Sequence, residues 1–480
     1  MVDEVNAVIG VWRTVDTEVE QFDYRDGNDT LVIRVPRPFP GAIRKATQLL
    51  RDAQAEILQP WPMSERICRI SSALAAWLDP RSVERQLAER WLPVMTGYAP
   101  NMVHRGLTRY LRTFLPDQLT RFLAQDLLDP AMLDHPVPDR AGGWSMAVGP
   151  RVLGQIVAGN IPGIALWHMV LGLLVKSAVI TRVSRHEPLM AALTHQLIHR
   201  TDPELAQLLA LVYWPAGDSL REEALFDSVD RLVIYGSNST ISDIRQRVAG
   251  RVPVVGYGHR VSLTVIGREA LEELVIDDTV RRTGRDVALW DQASCASPHA
   301  ILVEEGGKHQ PKELAERLAA ELERWEIKEP RGPVPADVAH AIRDWADQWE
   351  WTSNVSVWHH PDYRWAVVAG DPASVPIGPM NRTAFVIPIS NLDAAVLPWF
   401  RRLVPYLQTV GVAIPRRRLF PLLSSWARAG VTRITEVGRM HEFPAGWLHD
   451  GGHSVADLVS FMGVDPGTLE SLDTLDRDTW

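Results

Sequence analysis

Cys295 is the residue of this sequence best suited to act as a nucleophile. It stands between Ser294 and Ala296 in residues 291–299, Asp-Gln-Ala-Ser-Cys-Ala-Ser-Pro-His, where a thiol gains little from apolar packing. A thiolate close to a helix N-terminus has a lowered pKa, which favours nucleophilic attack. The alternative is a small buried core cysteine, and that interpretation fits Cys68 better than Cys295.

Other side chains carry weaker chemical signals. His299 follows Cys295 by four positions and is either a base or a structural histidine. The sequence contains no HExxH motif, no paired CxxC motif and no other metal-ligand spacing, so it predicts no metal site. It also lacks the G-x-S-x-G motif of serine hydrolases and the phosphate-binding G-x-x-x-x-G-K-[ST] loop.

Two turns could place polar groups beside a ligand. Residues 159–163 are Gly-Asn-Ile-Pro-Gly, and Asn160 could donate its side-chain amide to a developing oxyanion. The alternative is a simple tight turn, and the usual dinucleotide fingerprint G-x-G-x-x-G is absent. Gly236 and Ser237 follow another predicted strand, where the missing glycine side chain would let a cofactor approach the backbone closely.

Alternating strands and helices predict the element that positions these turns. Continuous apolar strands separated by helices indicate βαβ units, a parallel sheet and helices on both of its faces. Ligands of such doubly wound sheets bind at the carboxyl ends of the strands. The predicted strands are residues 152–158, 178–183, 209–214, 231–235 and 252–255, with helices at 164–175, 188–199, 219–226 and 241–248.

Length, charge and cysteine content set the broad class. A chain of 480 residues is long enough for two or three domains. The net charge of −9 argues against general binding to nucleic acid or to an anionic membrane, because both require clustered positive charge. The two cysteines and the acidic start of the chain indicate a cytoplasmic protein. The most apolar stretch, residues 161–180, contains Pro162 and Lys176 and predicts a buried helix, not a membrane span.

Several segments together resemble the acyl-CoA reductase family that includes the reductase subunit of the bacterial luminescence fatty-acid reductase complex. This family is a branch of the aldehyde dehydrogenase superfamily. The matching pieces follow in order along the chain, at residues 156–163, 257–262, 291–298, 430–434 and 447–451.

The resemblance implies an α/β, aldehyde dehydrogenase-like fold with a doubly wound parallel-sheet cofactor domain and a second α/β catalytic domain. Residues 1–258 would form an N-terminal segment and the nicotinamide cofactor domain, and residues 259–440 the catalytic domain. Residues 441–480 would pack back on the cofactor domain or form an oligomer interface. Homo-oligomers are common in this superfamily, so we expect one here.

The resemblance also assigns roles to residues. Cys295 matches the catalytic cysteine, which attacks the thioester carbonyl and forms an acyl-enzyme. Asn160 matches the asparagine that forms the oxyanion hole together with the backbone N–H of the cysteine. Gly236 and Ser237 match a pair beside the phosphates and nicotinamide of the cofactor. Ser184 matches a serine that holds the adenosine ribose.

Two departures from the superfamily pattern bear on the reaction and on the cofactor. Residues 255–262 occupy the place of the segment that carries the water-activating glutamate, and they contain no carboxylate. Hydrolysis of an acyl-enzyme should then be slow, which favours thioester reduction over aldehyde oxidation. Arg182 replaces the lysine that contacts the adenosine ribose, and Arg185 and His186 stand where a glutamate would exclude a 2′-phosphate. These positive groups favour NADPH over NADH.

The sequence therefore predicts an NAD(P)H-dependent reductase that converts an acyl thioester, on CoA or on an acyl-carrier protein, to an aldehyde. The acyl group is expected to be a fatty acyl chain, and an acyl-activating synthetase is the partner that the resemblance suggests. The alternatives are an aldehyde dehydrogenase that works oxidatively and a non-catalytic acyl-binding subunit. Five tryptophans between residues 345 and 365 predict core and interface packing, with the wall of an acyl tunnel as the alternative.

Overall fold

The chain folds around two large, mainly parallel β-sheets, which the computed structural model describes for residues 1–332 and 334–477. The strands, in chain order, are β1 (Val2–Asn6), β2 (Glu18–Asp26), β3 (Asp29–Arg37), β4 (Val137–Pro138), β5 (Trp144–Val148), β6 (Val152–Ile156), β7 (Ala178–Arg182), β8 (Leu209–Val212), β9 (Arg231–Tyr235), β10 (Val254–Tyr257), β11 (Val261–Ile266), β12 (Pro298–Glu304), β13 (Ser356–His359), β14 (Ala366–Ala369), β15 (Thr383–Ile389), β16 (Leu407–Ala413), β17 (Arg433–Glu436) and β18 (Ser460–Val464).

Helices cover both faces of the sheets and fill the region before the first large sheet. In chain order they are α1 (Pro40–Ala53), α2 (Met63–Leu74), α3 (Val83–Thr96), α4 (Pro100–Leu111), α5 (Pro116–Asp126), α6 (Ile164–Leu174), α7 (Leu189–Thr201), α8 (Pro203–Ala206), α9 (Ser219–Phe226), α10 (Asn238–Arg247), α11 (Ile276–Ala288), α12 (Pro311–Lys328), α13 (Ala336–Glu350), α14 (Leu397–Leu403), α15 (Arg416–Leu419), α16 (Leu423–Arg428) and α17 (Thr468–Arg477).

The five-stranded sheet has the order β10-β9-β6-β7-β8, with every pair parallel. The structure confirms the predicted doubly wound α/β architecture in this region. Strand β6 comes first along the chain and lies between β7 and β9, so the winding direction reverses beside it. In sheets of this kind, the crevice at the reversal point is where ligands bind.

The seven-stranded sheet has the order β13-β14-β15-β12-β11-β16-β17 and is parallel apart from the β13–β14 pair. Strand β11 starts four residues after the last residue of β10, Tyr257, so the amino end of this sheet faces the carboxyl end of the five-stranded sheet. The segment that contains Cys295 enters β12 at the same amino end. The two sheet ends together line one crevice.

Two small sheets complete the described part of the chain. Strands β1 and β2 flank β3, which joins the N-terminal segment to the body. Strands β18, β5 and β4 form an antiparallel sheet that links residues 460–464 with residues 137–148. The most apolar stretch of the sequence forms the buried helix α6 followed by β7, as predicted. Within the described residues, no helix is both long enough and apolar enough to cross a membrane.

The expectation that Cys68 is a core residue is wrong. Cys68 lies on α2 and is exposed, whereas its neighbours Ile67 and Ile70 are buried. Successive residues of a helix point about 100° apart, so the residue after a buried position can face solvent. An apolar residue on one side of a cysteine therefore does not show that the cysteine is buried.

Candidate active site

Cys295 lies in a turn directly before β12, in the crevice between the two sheet ends. It does not begin a helix, so the lowered thiol pKa expected from a helix N-terminus has no structural basis here. Burial raises the pKa of the Cys295 thiol to about 11, and the nearby carboxylate of Asp450 adds to the increase. The hydroxyl of Ser262, in β11, donates a hydrogen bond of 2.6 Å to the Cys295 carbonyl and fixes the turn to the sheet.

The segment that precedes Cys295 is held in a strained conformation. Trp290, Asp291 and Gln292 have φ angles of 54°, 43° and 66°, in the left-handed region that non-glycine residues rarely occupy. The Gln292 amide donates to the carbonyls of Pro298 and Thr383 at 2.7 and 2.6 Å, and its oxygen accepts the Thr383 N–H at 2.8 Å. Such strain persists only where the surroundings enforce it, and here they pin the segment to the starts of β12 and β15.

A buried ion-pair network lies beneath the same segment. Arg382 is fully buried, and its Nε donates to the Asp291 carboxylate at 2.8 Å. The same guanidinium donates to Glu326 at 2.9 Å. Removing one member of such a network leaves an uncompensated buried charge, which is strongly destabilising. The network therefore holds the turn that contains Cys295, the nucleophile turn, in one conformation.

Asn160 reaches the nucleophile turn from the other sheet. Its Nδ2 donates a hydrogen bond of 3.2 Å to the carbonyl of Ala293, two residues before Cys295. Its own carbonyl accepts a 2.8 Å hydrogen bond from the Tyr98 hydroxyl, which holds the asparagine from below. The amide has a second N–H that Ala293 does not use. In the described part of the chain, the Cys295 N–H has no acceptor either, so two N–H groups are available to a ligand in the crevice.

Glu187 anchors the loop that carries Asn160. Its carboxylate accepts the N–H groups of Gly163 at 3.0 Å and of Met190 at 2.7 Å, and therefore ties this loop to the start of α7. Burial raises the pKa of Glu187 to about 7, although the two N–H groups oppose the change. The side chain is buried and turned away from the surface positions Arg185 and His186.

Gln408 and Asp450 complete the surroundings of the thiol. Gln408, near the start of β16, donates through Nε2 to Asp450 Oδ1, and its amide acts to lower the pKa of the Cys295 thiol against the effect of burial. Asp450 Oδ2 lies 2.9 Å from Nε of Arg260. Burial raises the pKa of Asp450, whereas Arg260 and Gln408 act to lower it. A carboxylate is thus present beside the thiol, although residues 255–262 supply none.

Arg433 brings a positive charge toward the thiol from the start of β17. Its guanidinium donates to the carbonyls of Met440 and Glu442, both at 2.6 Å, and lies 4.8 Å above the Phe443 ring. Burial lowers the pKa of Arg433 to about 10, while the neighbouring Cys295 opposes that decrease. The side chain therefore fixes the C-terminal segment and favours the thiolate form of Cys295.

The wall behind Asp450 is aromatic. His449 stacks on Tyr257 with a ring distance of 4.0 Å and packs at a tilt against Trp447 at 4.5 Å. Burial lowers the pKa of His449 to about 3, so the ring is neutral at physiological pH. Outside this wall, a cavity of about 450 Å³ opens along the edge strand β10, and it is lined by Asp450, Arg260 and the stacked rings. A second cavity of about 500 Å³ continues past Arg260 along α10.

The four residues expected to bind a cofactor lie at the carboxyl ends of β9 and β7, the two strands that flank β6. Gly236 and Ser237 follow β9, and the Ser237 hydroxyl caps α10 by accepting the Thr240 N–H at 3.1 Å. Arg182 ends β7, and its guanidinium donates twice to the Trp214 carbonyl, at 2.7 and 3.1 Å. Ser184 is buried, and its hydroxyl accepts the N–H of His186 at 3.2 Å.

Local packing explains the glycine in the loop after β6. A Cβ atom at Gly159 would lie 2.6 Å from the Ser184 hydroxyl, so a larger residue would force the loops after β6 and β7 apart. The crevice at the reversal point therefore has Asn160 on one side and Gly236 on the other. The N-terminus of α10 points into the same region, where its free N–H groups suit a phosphate.

Two weaker sequence candidates have structural roles. His299 is buried in β12, and burial lowers its pKa to about 4. Trp345 and Trp349 pack against Phe385 of β15 at 6.4 and 4.8 Å, which is core packing. Trp351 is 90% exposed at the end of α13. The tryptophans described by these contacts do not surround the thiol.

Sequence reasoning missed Gln408, because it is a single polar residue at the start of a strand and belongs to no motif. Arg433 and Asp450 lie in segments that resemble the acyl-CoA reductase family, but the sequence assigned no role to either side chain. The signal that could have found them is topological: the starts of β11, β12, β15, β16 and β17 all meet at the crevice. Ligands of parallel sheets are normally expected at the carboxyl ends of the strands. The sequence therefore gives no reason to look for site residues at the amino end of the seven-stranded sheet.

The sequence matches a known protein family and several characterised relatives. A family model described as acyl-CoA reductase (LuxC) matches residues 62–461. The long-chain acyl-protein thioester reductase of Vibrio harveyi is 23% identical over 312 residues, which are 64% of this chain and 63% of that protein. The chain thus matches less than two thirds of the length of this relative.

Solved structures agree on the fold. Aldehyde dehydrogenase 21 of Physcomitrella patens, in complex with succinate, superposes with a TM-score of 0.74 at 15% identity, covering 98% of this chain and 99% of that one. An NAD-dependent benzaldehyde dehydrogenase from Corynebacterium glutamicum superposes with a TM-score of 0.68 at 13% identity, covering 94% and 95%. The fold is that of the aldehyde dehydrogenases, and the match over residues 62–461 shows that the chain belongs to the acyl-CoA reductase (LuxC) family.

Proposed function

We propose that this protein reduces an acyl thioester to an aldehyde with a nicotinamide cofactor, through an acyl-enzyme on Cys295. The observation that carries the proposal is the contact between the two sheets: the Asn160 amide lies 3.2 Å from the Ala293 carbonyl, within the nucleophile turn. A thiol and an amide donor from separate sheets meet in one crevice. That arrangement supports attack on a carbonyl and binding of the resulting oxyanion.

Different residues of the chain contribute to different steps of acyl transfer. Cys295 attacks the thioester carbonyl as a thiolate, a new carbon–sulfur bond forms, and the carrier thiolate leaves and takes up a proton. The second N–H of Asn160 and the Cys295 N–H hold the oxyanion of the tetrahedral intermediate. Donors of this kind are each worth about 3–4 kcal/mol in comparable sites. The hydride that reduces the acyl group is the contribution of the nicotinamide cofactor when it is bound.

The same carbonyl chemistry would serve an oxidising enzyme, so the fate of the acyl-enzyme decides between them. Asp450 is a carboxylate near the thiol, but its Oδ1 accepts from Gln408 and its Oδ2 faces Arg260 at 2.9 Å. A carboxylate held in this way is poorly placed to activate water. Slow hydrolysis supports reduction over oxidation.

The crevice beside β6 and β9 fits a nicotinamide cofactor. Gly236 leaves the backbone open, and the N-terminus of α10 after Ser237 offers N–H groups for phosphates. Ser184 and Arg182 would line the adenosine end. Arg185 and His186 are exposed there, and their positive character supports NADPH over NADH. The Arg182 guanidinium already donates to the Trp214 carbonyl, so binding of a 2′-phosphate would depend more on the two exposed side chains.

The donor of the acyl group is a fatty acyl thioester, on CoA or on a carrier protein. The curated relatives are named long-chain acyl-protein thioester reductases, which supports an acyl-protein donor and, with it, an acyl-activating synthetase as partner. We also propose the division into residues 1–258, 259–440 and 441–480. The change of sheet between Tyr257 and Val261 supports the first boundary, and the pairing of β18 with β5 supports packing of the last segment on the first.

A homo-oligomer is the proposed quaternary state. Phe461 and Met462 are 56% and 46% exposed on β18, and Trp144 and Val148 of β5 are also open to solvent. Neighbouring residues of a strand point to opposite faces, so both faces of this small sheet present apolar side chains. Such a sheet gains stability when a second subunit covers it.

Labelling with a radioactive fatty acyl-CoA tests the proposal. The wild-type protein should become labelled on Cys295 and, with NADPH, should release labelled aldehyde as the reduced cofactor is consumed. Cys295→Ala should retain no label, and Cys68→Ala is the matched control that should label normally. Wild-type labelling of Cys295→Ala would overturn the assignment of the nucleophile.

The two alternatives are distinguished by following the cofactor and by alkylating the thiol. An oxidising aldehyde dehydrogenase would form reduced cofactor from aldehyde and release acid without any added CoA. A non-catalytic acyl-binding subunit would consume no cofactor and would be indifferent to alkylation of Cys295. Comparing NADPH with NADH at equal concentration tests the cofactor preference separately.

A further inference from the structure

Helix α4 and the residues just before it hold the loop that carries the oxyanion donor. Tyr98, two positions before the helix, donates its hydroxyl to the Asn160 carbonyl at 2.8 Å. Tyr110, near the end of the helix, donates its hydroxyl to the Gly163 carbonyl, also at 2.8 Å. One element of the N-terminal region therefore holds the Asn160 turn at both ends. The acyl-transfer chemistry proposed above gives no role to this arrangement.

The segment that precedes Cys295 rests on the same helix. The Trp290 N–H donates to the Met102 sulfur at 3.0 Å. The Trp290 indole packs edge-to-face on the Tyr98 ring, with the ring centroids 5.3 Å apart. A Cβ atom at Gly106 would overlap the six-membered ring of this indole. The helix backbone at Gly106 is therefore the surface on which Trp290 rests.

Both partners of this contact are unusual for their local structure. Gly106 lies inside α4, where glycine destabilises a helix because its backbone has the most freedom to lose. Trp290 has a φ angle of 54°, which a residue with a large side chain rarely adopts. Two unfavourable local features meet at one contact, which indicates that the sequence specifies the contact itself.

Two ion pairs join α4 to the part of the chain that contains the thiol. Arg105 pairs with Glu329 at 2.8 Å, and Arg109 pairs with Glu442 at 2.9 Å. Both glutamates belong to the chain after β11, as Cys295 does, whereas the Asn160 turn belongs to the five-stranded sheet. Helix α4 therefore bridges the two sides of the crevice.

We infer that α4 acts as a spacer between Asn160 and the nucleophile turn, and that Tyr98 and Gly106 are positioning residues of the oxyanion hole. This rests on Asn160 and Cys295 acting as in the proposed function. The Ala293 N–H donates to the Trp290 carbonyl at 2.8 Å, so a displacement of Trp290 reaches the contact between Ala293 and the Asn160 amide. The stabilisation of an oxyanion depends on where its donors are held, so this spacer acts on the chemistry.

Single-turnover acylation of Cys295 by a fatty acyl-CoA tests the role of Tyr98. Tyr98→Phe keeps a ring against Trp290 but loses the hydrogen bond to Asn160, and it should slow acylation about tenfold. In an Asn160→Ala background, the same change should alter the rate by less than about twofold, because Tyr98 acts through Asn160. An unchanged rate with Asn160 present, or an equal effect in both backgrounds, would show that Tyr98 does not position Asn160.

Alkylation of Cys295 by iodoacetamide separates positioning from a general disturbance of the fold. This reaction requires the thiolate but forms no oxyanion, so Tyr98→Phe should leave its rate unchanged in a Cys68→Ala background. Alkylation slowed as much as acylation would overturn the inference. Tyr24→Phe is the matched control, because the Tyr24 hydroxyl also donates to a backbone carbonyl, that of Arg185 at 3.1 Å, and it should acylate at the wild-type rate.

Size compensation tests the role of Gly106. Gly106→Ala favours the helix but displaces the Trp290 indole, and its crystal structure should show the Asn160 amide beyond hydrogen-bond distance of the Ala293 carbonyl. Adding Trp290→Phe should restore this contact, because phenylalanine lacks the second ring. A contact retained in Gly106→Ala, or not restored in the double variant, would overturn the spacer role of α4. The crystal structures need no turnover, so they decide the inference even if no acyl-enzyme forms.

Discussion

At the scale of single residues, Asn160 is the donor whose removal should be most costly for the chemistry. Its free N–H is available to the oxyanion of the tetrahedral intermediate, and comparable donors are worth about 3–4 kcal/mol. We expect Asn160→Ala to slow acyl-enzyme formation by about 100- to 1000-fold. A single-turnover measurement of acyl transfer to Cys295 checks this directly, before any hydride transfer.

The control for this substitution is Asn391→Ala. Asn391 is also an asparagine whose side chain serves a loop, where it accepts the N–H of Ala394 at 2.8 Å, but it lies after β15, away from the thiol. It should acylate at the wild-type rate. A rate for Asn160→Ala within a few-fold of the wild type, with the fold intact, would exclude Asn160 from the oxyanion hole.

The site residues that sequence could identify are those with an unusual local setting. Cys295 stands among small polar residues, and Asn160 lies in a Gly-Pro turn, so residue type and neighbours pointed to both. Gln408 and Asp450 have ordinary neighbours, and only the folded chain brings them to the crevice. The sequence also could not predict whether the thiol pKa is raised or lowered, because the shift depends on burial and on the charge of Asp450.

At the scale of elements, Glu187 links the loop after β6 to α7 and should leave a signature in the pH dependence of stability. Its pKa is about 7 in the folded chain against an ordinary value of 4.5. Below about pH 4.5 both folded and unfolded states hold the proton, and the favourable contribution is complete. As the pH rises to 7, the unfolded state loses the proton first, so the contribution falls by roughly 3 kcal/mol.

Glu187→Gln removes this titration while keeping the size of the side chain. The stability advantage of the wild type over Glu187→Gln should therefore shrink as the pH rises from 4.5 to 7. Denaturant unfolding of both proteins across this range measures it, and Asp286, whose pKa burial also raises, contributes equally to both. The exposed Glu316→Gln is the control and should track the wild type. A difference that does not vary with pH would contradict the role of burial.

The elements themselves were largely accessible from the sequence. Strand β9 and helix α9 begin and end at the predicted residues, because apolar runs bounded by turn residues mark buried elements of a parallel sheet. The left-handed run at Trp290, Asp291 and Gln292 was not accessible. None of these is a glycine, and their conformation is enforced by Arg382 and by the starts of β12 and β15.

At the scale of the whole molecule, the site exists only because two sheets face each other end to end. The carboxyl end of the five-stranded sheet supplies Asn160, and the amino end of the seven-stranded sheet supplies Cys295 and Gln408. The periodicity of the sequence predicts strands and helices but not the mutual orientation of the two sheets, which depends on the short connection from β10 to β11. The order of segments shared with a known family supplied the information that periodicity lacked.

The small sheet of β4, β5 and β18 gives the last prediction. Three short strands with apolar side chains exposed on both faces have little core of their own, so we expect a second subunit to cover them. Phe461→Asp places a charge in that interface and should shift the protein toward monomer, measured by light scattering after size-exclusion chromatography. Leu274→Asp is the control, because Leu274 is 97% exposed elsewhere on the surface and should leave the oligomer unchanged. If the wild type is monomeric at micromolar concentration, the small sheet is not an interface between copies of this chain.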